Sequence, residues 1–350
     1  MSQTQSELMQ QGQFLAISRQ SPERFASPMS FSLSNGTVVD ILAEGIIGFS
    51  PAQAGNKDIV LSCGVHGNET APIEICDELV KNVLTGELTL AHRTLFLFGN
   101  LPAMDIGKRF VEENMNRLFS GAHSEGEGLV NQERRRAKQL EDAVAAFYTA
   151  LPVSSNSPER ERIHYDLHTA IRASKNEKFA VYPYLHGLPH SKEQIAFMGA
   201  CGVKTILLSD APTTTFSYFS SHDFGAHSFT VELGKVRPFG ENDMRRFADA
   251  KEMLTQLISQ HAITLPEFVE EDFDIYRIHQ TINRTQEDFA LHFGDDTPNF
   301  TDYKKGTLLA SETGARYEAQ ADGEAIVFPN AKVAIGQRAL LTVIPTTLDE

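Results

Sequence analysis

Apolar positions in this chain fall into short runs separated by stretches with helical spacing. Residues 59–62 are mostly apolar and read as a buried strand. Gly64 and Gly67 permit a sharp turn after it, and Pro72 suits the first turn of a helix over 72–84 with apolar residues at 73, 76, 79, 80 and 84. Alternation through 37–51 predicts an edge hairpin turning at Gly45. Further strands are predicted at 93–98, 163–167, 203–208 and 228–233, and further helices at 134–151 and 241–258, with loop and helix sharing 185–202. Residues 99–107 and 213–227 read as loops, 121–134 as a surface excursion and 154–162 as a solvated linker. Residues 1–35 are polar and turn-rich, which predicts a loosely packed helix and irregular chain.

Beyond Pro266 the texture changes to period-two segments at 274–282, 286–292, 324–328 and 339–345, broken by Gly, Asp, Asn and Pro. Strands alternating with helices before that point imply an α/β fold, a mixed sheet flanked by helices, followed by a smaller C-terminal β-rich domain. The expected division is an N-terminal extension, 1–35, a catalytic domain, 36–262, and the β-rich domain, 263–350.

Composition narrows the class. With 350 residues, 41% hydrophobic and 22% charged, the chain can bury a large core. No apolar run of about 18 residues predicts a membrane helix, and the first twenty residues lack the basic flank and apolar core of a secretory signal. Cys63, Cys76 and Cys201 have neither disulfide nor ligand spacing and read as buried thiols, so a cytoplasmic location is expected. The net charge of −15 argues against a nucleic-acid partner and requires local arginines if the ligand is an anion.

The candidate chemistry begins at His66 and Glu69, on the tight loop after the first buried strand, where open α/β sheets place their ligands. A histidine and a carboxylate three residues apart can reach one metal ion, although each also has an ordinary role as a hydrogen-bonding or helix-terminal residue. In 164–172, His164, Asp166 and His168 alternate onto one strand face, so His168 is a third candidate ligand and Asp166 either orients it or caps a loop. Glu232 closes the strand at 228–233 and is a candidate proton acceptor. Arg109 could stabilise an oxyanion; Asn116 and Arg117 could bind a carboxylate, or Arg117 could pair with Glu112 or Glu113.

Four separated motifs, GVHGNE at 64–69, NMNRLF at 114–119, DLHT at 166–169 and VELG at 231–234, together with IVFPNAKVAIGQRALL at 326–341, occur in the order found in the zinc carboxypeptidase-like superfamily. Over roughly residues 40–345 the chain resembles its succinylglutamate desuccinylase and aspartoacylase branch. The resemblance implies one zinc ion per chain on His66, Glu69 and His168, Glu232 as the proton-transfer residue, Arg109 assisting at the carbonyl, and Asn116 with Arg117 on a substrate carboxylate. It implies hydrolysis of an N-acyl amino acid, N-succinyl-L-glutamate first, in arginine catabolism. Deacylation of N-acetyl-L-aspartate and a non-catalytic, zinc-dependent carboxylate-binding protein are the alternatives. Tyr218 and Tyr317 are further substrate-pocket candidates by resemblance. His222 stands where aspartoacylase-like relatives have arginine, and His222 or Arg172 is a candidate for the succinyl carboxylate. The branch often has Asp where this chain has Asn114. No nucleic-acid or membrane partner is expected, and self-association into a homo-oligomer is left open.

Overall fold

The computed structural model describes residues 2–150 and 160–348. Its strands are β1 (Met29–Ser32), β2 (Val38–Ala43), β3 (Ile46–Ser50), β4 (Lys57–Cys63), β5 (Arg93–Phe98), β6 (Glu161–Ala170), β7 (Phe179–Tyr182), β8 (Thr205–Leu208), β9 (His227–Lys235), β10 (Asp274–Asn283), β11 (Ala290–Leu291), β12 (Thr301–Tyr303), β13 (Leu308–Glu312), β14 (Ala315–Glu318), β15 (Glu324–Val327) and β16 (Arg338–Pro345). Its α-helices are α1 (Gln3–Gln11), α2 (Phe14–Gln20), α3 (Thr70–Leu84), α4 (Leu101–Asp105), α5 (Gln132–Thr149), α6 (Lys192–Ala200), α7 (Phe216–Phe224) and α8 (Ala248–Ser259).

Continuous apolar runs become the interior of one sheet. Every residue of β5 is buried, as are all of β4 but Lys57, because helices cover both faces of a parallel stretch. Thirteen strands join in the order β1-β2-β3-β5-β4-β6-β9-β7-β8-β10-β16-β15-β12. The neighbours β5, β4, β6 and β9 run parallel, so the loops after β4, β6 and β9 emerge side by side at one edge. The register sets His168 of β6 directly beside Glu232 of β9.

Several local expectations are corrected. The N-terminal segment is packed rather than loose: α1 carries a capping box between Ser2 and Gln5, and Leu8, Phe14, Leu15 and Ile17 are buried. Phe14 meets Phe25 and Phe98 at ring distances of 5.4 and 6.1 Å, so a few apolar side chains anchor a mostly polar stretch. The loop expected at 99–107 contains α4, capped by Asn100. The loop expected at 213–227 holds α7, capped by Thr215 at one end and by Gly225 in the left-handed region at the other. Its sequence, FSYFSSHDF, has weak helix propensity; burial of Phe216 to Ser220 outweighs it. Of the linker predicted at 154–162, positions 154–159 lie outside the described residues, and the remainder leads into β6.

The C-terminal β-rich domain is joined to the large sheet. Strand β10 pairs in parallel with β8, from Asp274 beside Thr205 to Arg277 beside Leu208, and β16, β15 and β12 extend the same sheet. Among the described residues, only β11, β13 and β14 form a separate three-stranded sheet. No helix among the described residues is long and apolar enough to cross a membrane.

Candidate active site

The loop after β4 is held by close main-chain contact. A Cβ at Gly67 would lie 2.2 Å from the carbonyl carbon of Ala103, so only glycine lets the loop settle on α4, and its N–H donates to the Arg109 carbonyl at 3.1 Å. That seating fixes His66 and Glu69 at the sheet edge, facing His168 from β6. One donor atom from each of the three lies within 4.8 Å of the others, and all three residues are buried.

The outer nitrogens of both rings are anchored. His66 Nε2 donates to Asn114 Oδ1 at 2.8 Å, and His168 Nε2 donates to Asp166 Oδ2 at 2.8 Å, which leaves both Nδ1 atoms facing the Glu69 carboxylate at 2.9 and 2.8 Å. Buried His66 Nδ1 has no satisfactory hydrogen bond of its own. Two oriented imidazole nitrogens and a carboxylate converging on one point fit a zinc-type ion. Asn114, where the resemblance suggests a carboxylate, performs the anchoring with a neutral oxygen and also accepts from Asn116 N at 3.1 Å.

Buried beneath this set is a chain of hydrogen bonds that the sequence reading misses. Ser220 Oγ meets His164 Nδ1 at 2.6 Å, His164 Nε2 meets Ser62 Oγ at 2.8 Å, and Ser62 donates to Asp166 Oδ1 at 2.5 Å. Only the alternation of β6 hints at His164; Ser62 and Ser220 give no local signal.

The charges follow from burial and proximity. Burial pushes the Glu232 carboxyl up, with help from the Glu69 charge, to about 7. Its Oε2 is buried without a partner. Burial would raise Glu69 too, but the His66, His168 and Arg109 charges outweigh it and hold Glu69 well below the usual range. Burial, then the Arg109 charge, takes His66 down to about 4; His168 resists burial and is raised by Asp166 and Glu69.

His66, Glu69, Asn114 and Glu232 line a cleft of about 430 Å³ that also takes in Arg109, Asn116, Arg117, Thr169, Arg172 and the far wall formed by 328–333, Gln337 and Arg338. Arg109 Nη1 donates to Glu69 Oε1 at 2.7 Å. Arg117 does not pair with Glu112 or Glu113: Glu113 is taken by Arg134, and Arg117 Nη1 donates to the Asn116 carbonyl. Buried polar atoms without a hydrogen-bond partner concentrate here, on His66, Asn116, Thr169, Glu232 and Arg338, as expected of a site built for a ligand.

Other candidates are placed differently. Arg172 reaches the cleft but directs its guanidinium at the carbonyls of Thr297 (3.0 Å), Gly294 (3.4 Å) and Pro329 (3.4 Å). Tyr218 does not line the cleft; its hydroxyl bonds His186 Nε2 at 2.9 Å. His222 is exposed, pairs with Asp223 at 2.7 Å and stacks near Tyr218. Tyr317 also lies outside the cleft, where its hydroxyl donates to Glu312 within the three-stranded sheet.

Residues 55–258 match the succinylglutamate desuccinylase/aspartoacylase catalytic domain, and residues 271–346 match the AstE/AspA barrel-sandwich hybrid domain. The chain is 60% identical over 345 residues to a succinylglutamate desuccinylase of Pseudoalteromonas atlantica, covering 98% of this chain and 97% of that protein. Among solved structures, the succinylglutamate desuccinylase from Chromobacterium violaceum superposes with a TM-score of 0.81 at 37% identity, covering 95% of this chain and 97% of that one. The enzyme from Vibrio cholerae gives 0.83 at 33% identity, covering 95% and 94%. With matches to both parts of the chain and such identity over nearly its full length, this protein belongs to the succinylglutamate desuccinylase/aspartoacylase family.

Proposed function

We propose that this enzyme hydrolyses the amide of N-succinyl-L-glutamate to succinate and L-glutamate, a late step in arginine breakdown through succinylated intermediates. The 60% identity to the Pseudoalteromonas atlantica succinylglutamate desuccinylase carries the reading. The cleft chemistry agrees with it: a ligand set, an unpaired carboxyl near neutrality and several guanidinium groups face one space. Three buried free thiols accord with a cytoplasmic setting.

His66, Glu69 and His168 would hold one zinc ion, which supplies Lewis acidity at the amide carbonyl and acidifies water. Asn114 and Asp166 keep the two imidazoles turned toward that position. Glu232 accepts the proton of the attacking water and returns it to the departing glutamate nitrogen, a role suited to a carboxyl whose pKa lies near 7. Arg109 spends one N–H on Glu69 and offers the others to the carbonyl oxygen as it gains charge. Asn116 and Arg117 grip the α-carboxylate of the glutamyl part.

The test is steady-state hydrolysis of N-succinyl-L-glutamate, N-acetyl-L-glutamate and N-acetyl-L-aspartate, before and after chelation and zinc restoration. N-succinyl-L-glutamate should give the highest kcat/KM, chelation should abolish turnover, and E232Q should keep its zinc while kcat falls roughly 10²–10⁴-fold. A higher kcat/KM for N-acetyl-L-aspartate, or activity indifferent to the metal, overturns the reading.

A further inference from the structure

Several arginines of this protein are matched by acids: Arg93 by Asp58, Arg134 by Glu113 and Arg109 by Glu69. Three arginines lining the cleft are not, and of these Arg172 spends its guanidinium on main-chain carbonyls. Among the described residues, neither Arg117 nor Arg338 has a carboxylate within ion-pair distance. Arg338 opens β16 and crosses the cleft wall with its guanidinium carbon 5.5 Å from the centre of the Phe328 ring. Its Nε is buried with no hydrogen-bond partner. A guanidinium held over an aromatic face, with a sequestered N–H unspent, is preorganised for a planar anion.

Burial, and then the charge of Arg117, brings Arg338 down to about 9, so the two cations share one neighbourhood. Arg117 is likewise lowered to about 10, by burial and then by Arg109. Holding two unmatched cations together in a cleft is costly unless the ligand brings the missing anions. The amine-side product proposed above carries two carboxylates separated by three carbons, both on the same side of the scissile amide. The succinyl carboxylate lies across the reaction centre from them.

We propose that Arg338 binds the side-chain carboxylate of the glutamyl moiety, beside the α-carboxylate on Arg117, and so selects glutamate over its uncharged isosteres. This assignment rests on the functional reading above, in which Arg117 takes the α-carboxylate. It gives the β-rich segment a direct part in choosing the amino acid: residues 328–333 and Gln337 shape the wall, and Arg338 reads the charge.

The experiment compares kcat/KM of the zinc-loaded enzyme for N-succinyl-L-glutamate, N-succinyl-L-glutamine and N-succinamoyl-L-glutamate, in wild type, R338Q and R338K. Wild type should prefer glutamate to glutamine by roughly 10²-fold or more, because the amide leaves the guanidinium unmatched. R338Q should erase that preference by losing activity on the glutamate substrate alone, and should leave the preference for succinyl over succinamoyl in place. R338K keeps the charge but loses the fork and should fall between, which serves if R338Q does not fold. Three results overturn the assignment: no glutamate preference in wild type, equal loss on both amino acids in the variants, or loss of the succinyl preference instead. If no N-succinyl substrate turns over, the functional reading fails separately, and calorimetry with the free amino acids decides for Arg338. L-glutamate binding weakened by R338Q or R338K, with L-glutamine binding unchanged, supports it; equal binding of both amino acids to wild type overturns it.

Discussion

At the scale of single residues, the two histidines of the ligand set are oriented by unlike partners. His168 donates to a carboxylate, which raises the basicity of its inward nitrogen; His66 donates to the neutral amide of Asn114. N114A would leave His66 Nε2 buried and unbonded and let the ring turn, so zinc affinity should fall about 10–100-fold. N114D restores the acceptor with a negative charge and should bind zinc at least as tightly as wild type. Competition against a chromophoric chelator measures both, and wild-type affinity in N114A would show that the hydrogen bond does not orient the ligand. At this scale much is legible in the sequence. His66, Glu69, His168 and Glu232 each follow or close an apolar run that predicts a strand, so their common edge follows from a parallel sheet. Ser62, His164 and Ser220 are not legible as a network, because their bonds join β4, β6 and a helix whose own sequence conceals it.

At the scale of elements, burial decides what propensity leaves open. Strands β4, β5 and β9 and helix α3 announce themselves through long apolar runs or clear periodicity. The four residues of β7, and β12 to β14 in the β-rich segment, are too short to show a period, and α7 is helical only because its aromatic face is enclosed. One titratable group sits at such a packed junction. Asp77 on α3 accepts from the Leu15 amide of α2, and burial, opposed by that hydrogen bond and by Lys81 and Arg19, raises its carboxyl from 3.8 to about 6. A carboxyl raised on folding contributes stability that is fully present below its unfolded pKa and lost as pH climbs through its folded one. The window here runs from about 4 to 6. D77N keeps the acceptor without the charge, so it should match wild type near pH 4 and exceed it by about 3 kcal/mol above pH 7. Chemical denaturation at the two pH values measures the difference; a variant less stable than wild type at high pH would mean that the charge is favourable where it stands.

At the scale of the molecule, the cleft has one wall from the early sheet and one from the β-rich segment, so its shape depends on how the two are joined. The sequence reading separates them at about residue 263. Pairing of β10 with β8 is invisible to it, because partners some seventy positions apart carry no mark of each other. A second join follows β6. Ser174 bridges Asn299, the Asn299 amide donates to the Ala173 carbonyl at 2.8 Å, and the Lys175 amide donates to the Asn299 carbonyl at 3.0 Å. Arg172 completes it by donating to the carbonyls of Gly294, Thr297 and Pro329, the last next to Phe328 in the cleft wall. A guanidinium directed at three main-chain oxygens is a clamp first, and its effect on substrate is felt through the position of that wall. R172A should therefore retain zinc, lose some thermal stability, and lower kcat/KM roughly 10-fold or more for N-succinyl-L-glutamate and N-succinamoyl-L-glutamate alike, since a small displacement of one wall misplaces any occupant. R172K, which carries charge but cannot span three carbonyls, should recover little. The competing role, capture of the succinyl carboxylate by Arg172, makes the opposite forecast: R172A would harm the succinyl substrate and spare the succinamoyl one. Kinetics on the two substrates, read beside the melting temperature, separate a clamp from a carboxylate receptor, and a selective loss without any change in stability would assign Arg172 to the substrate.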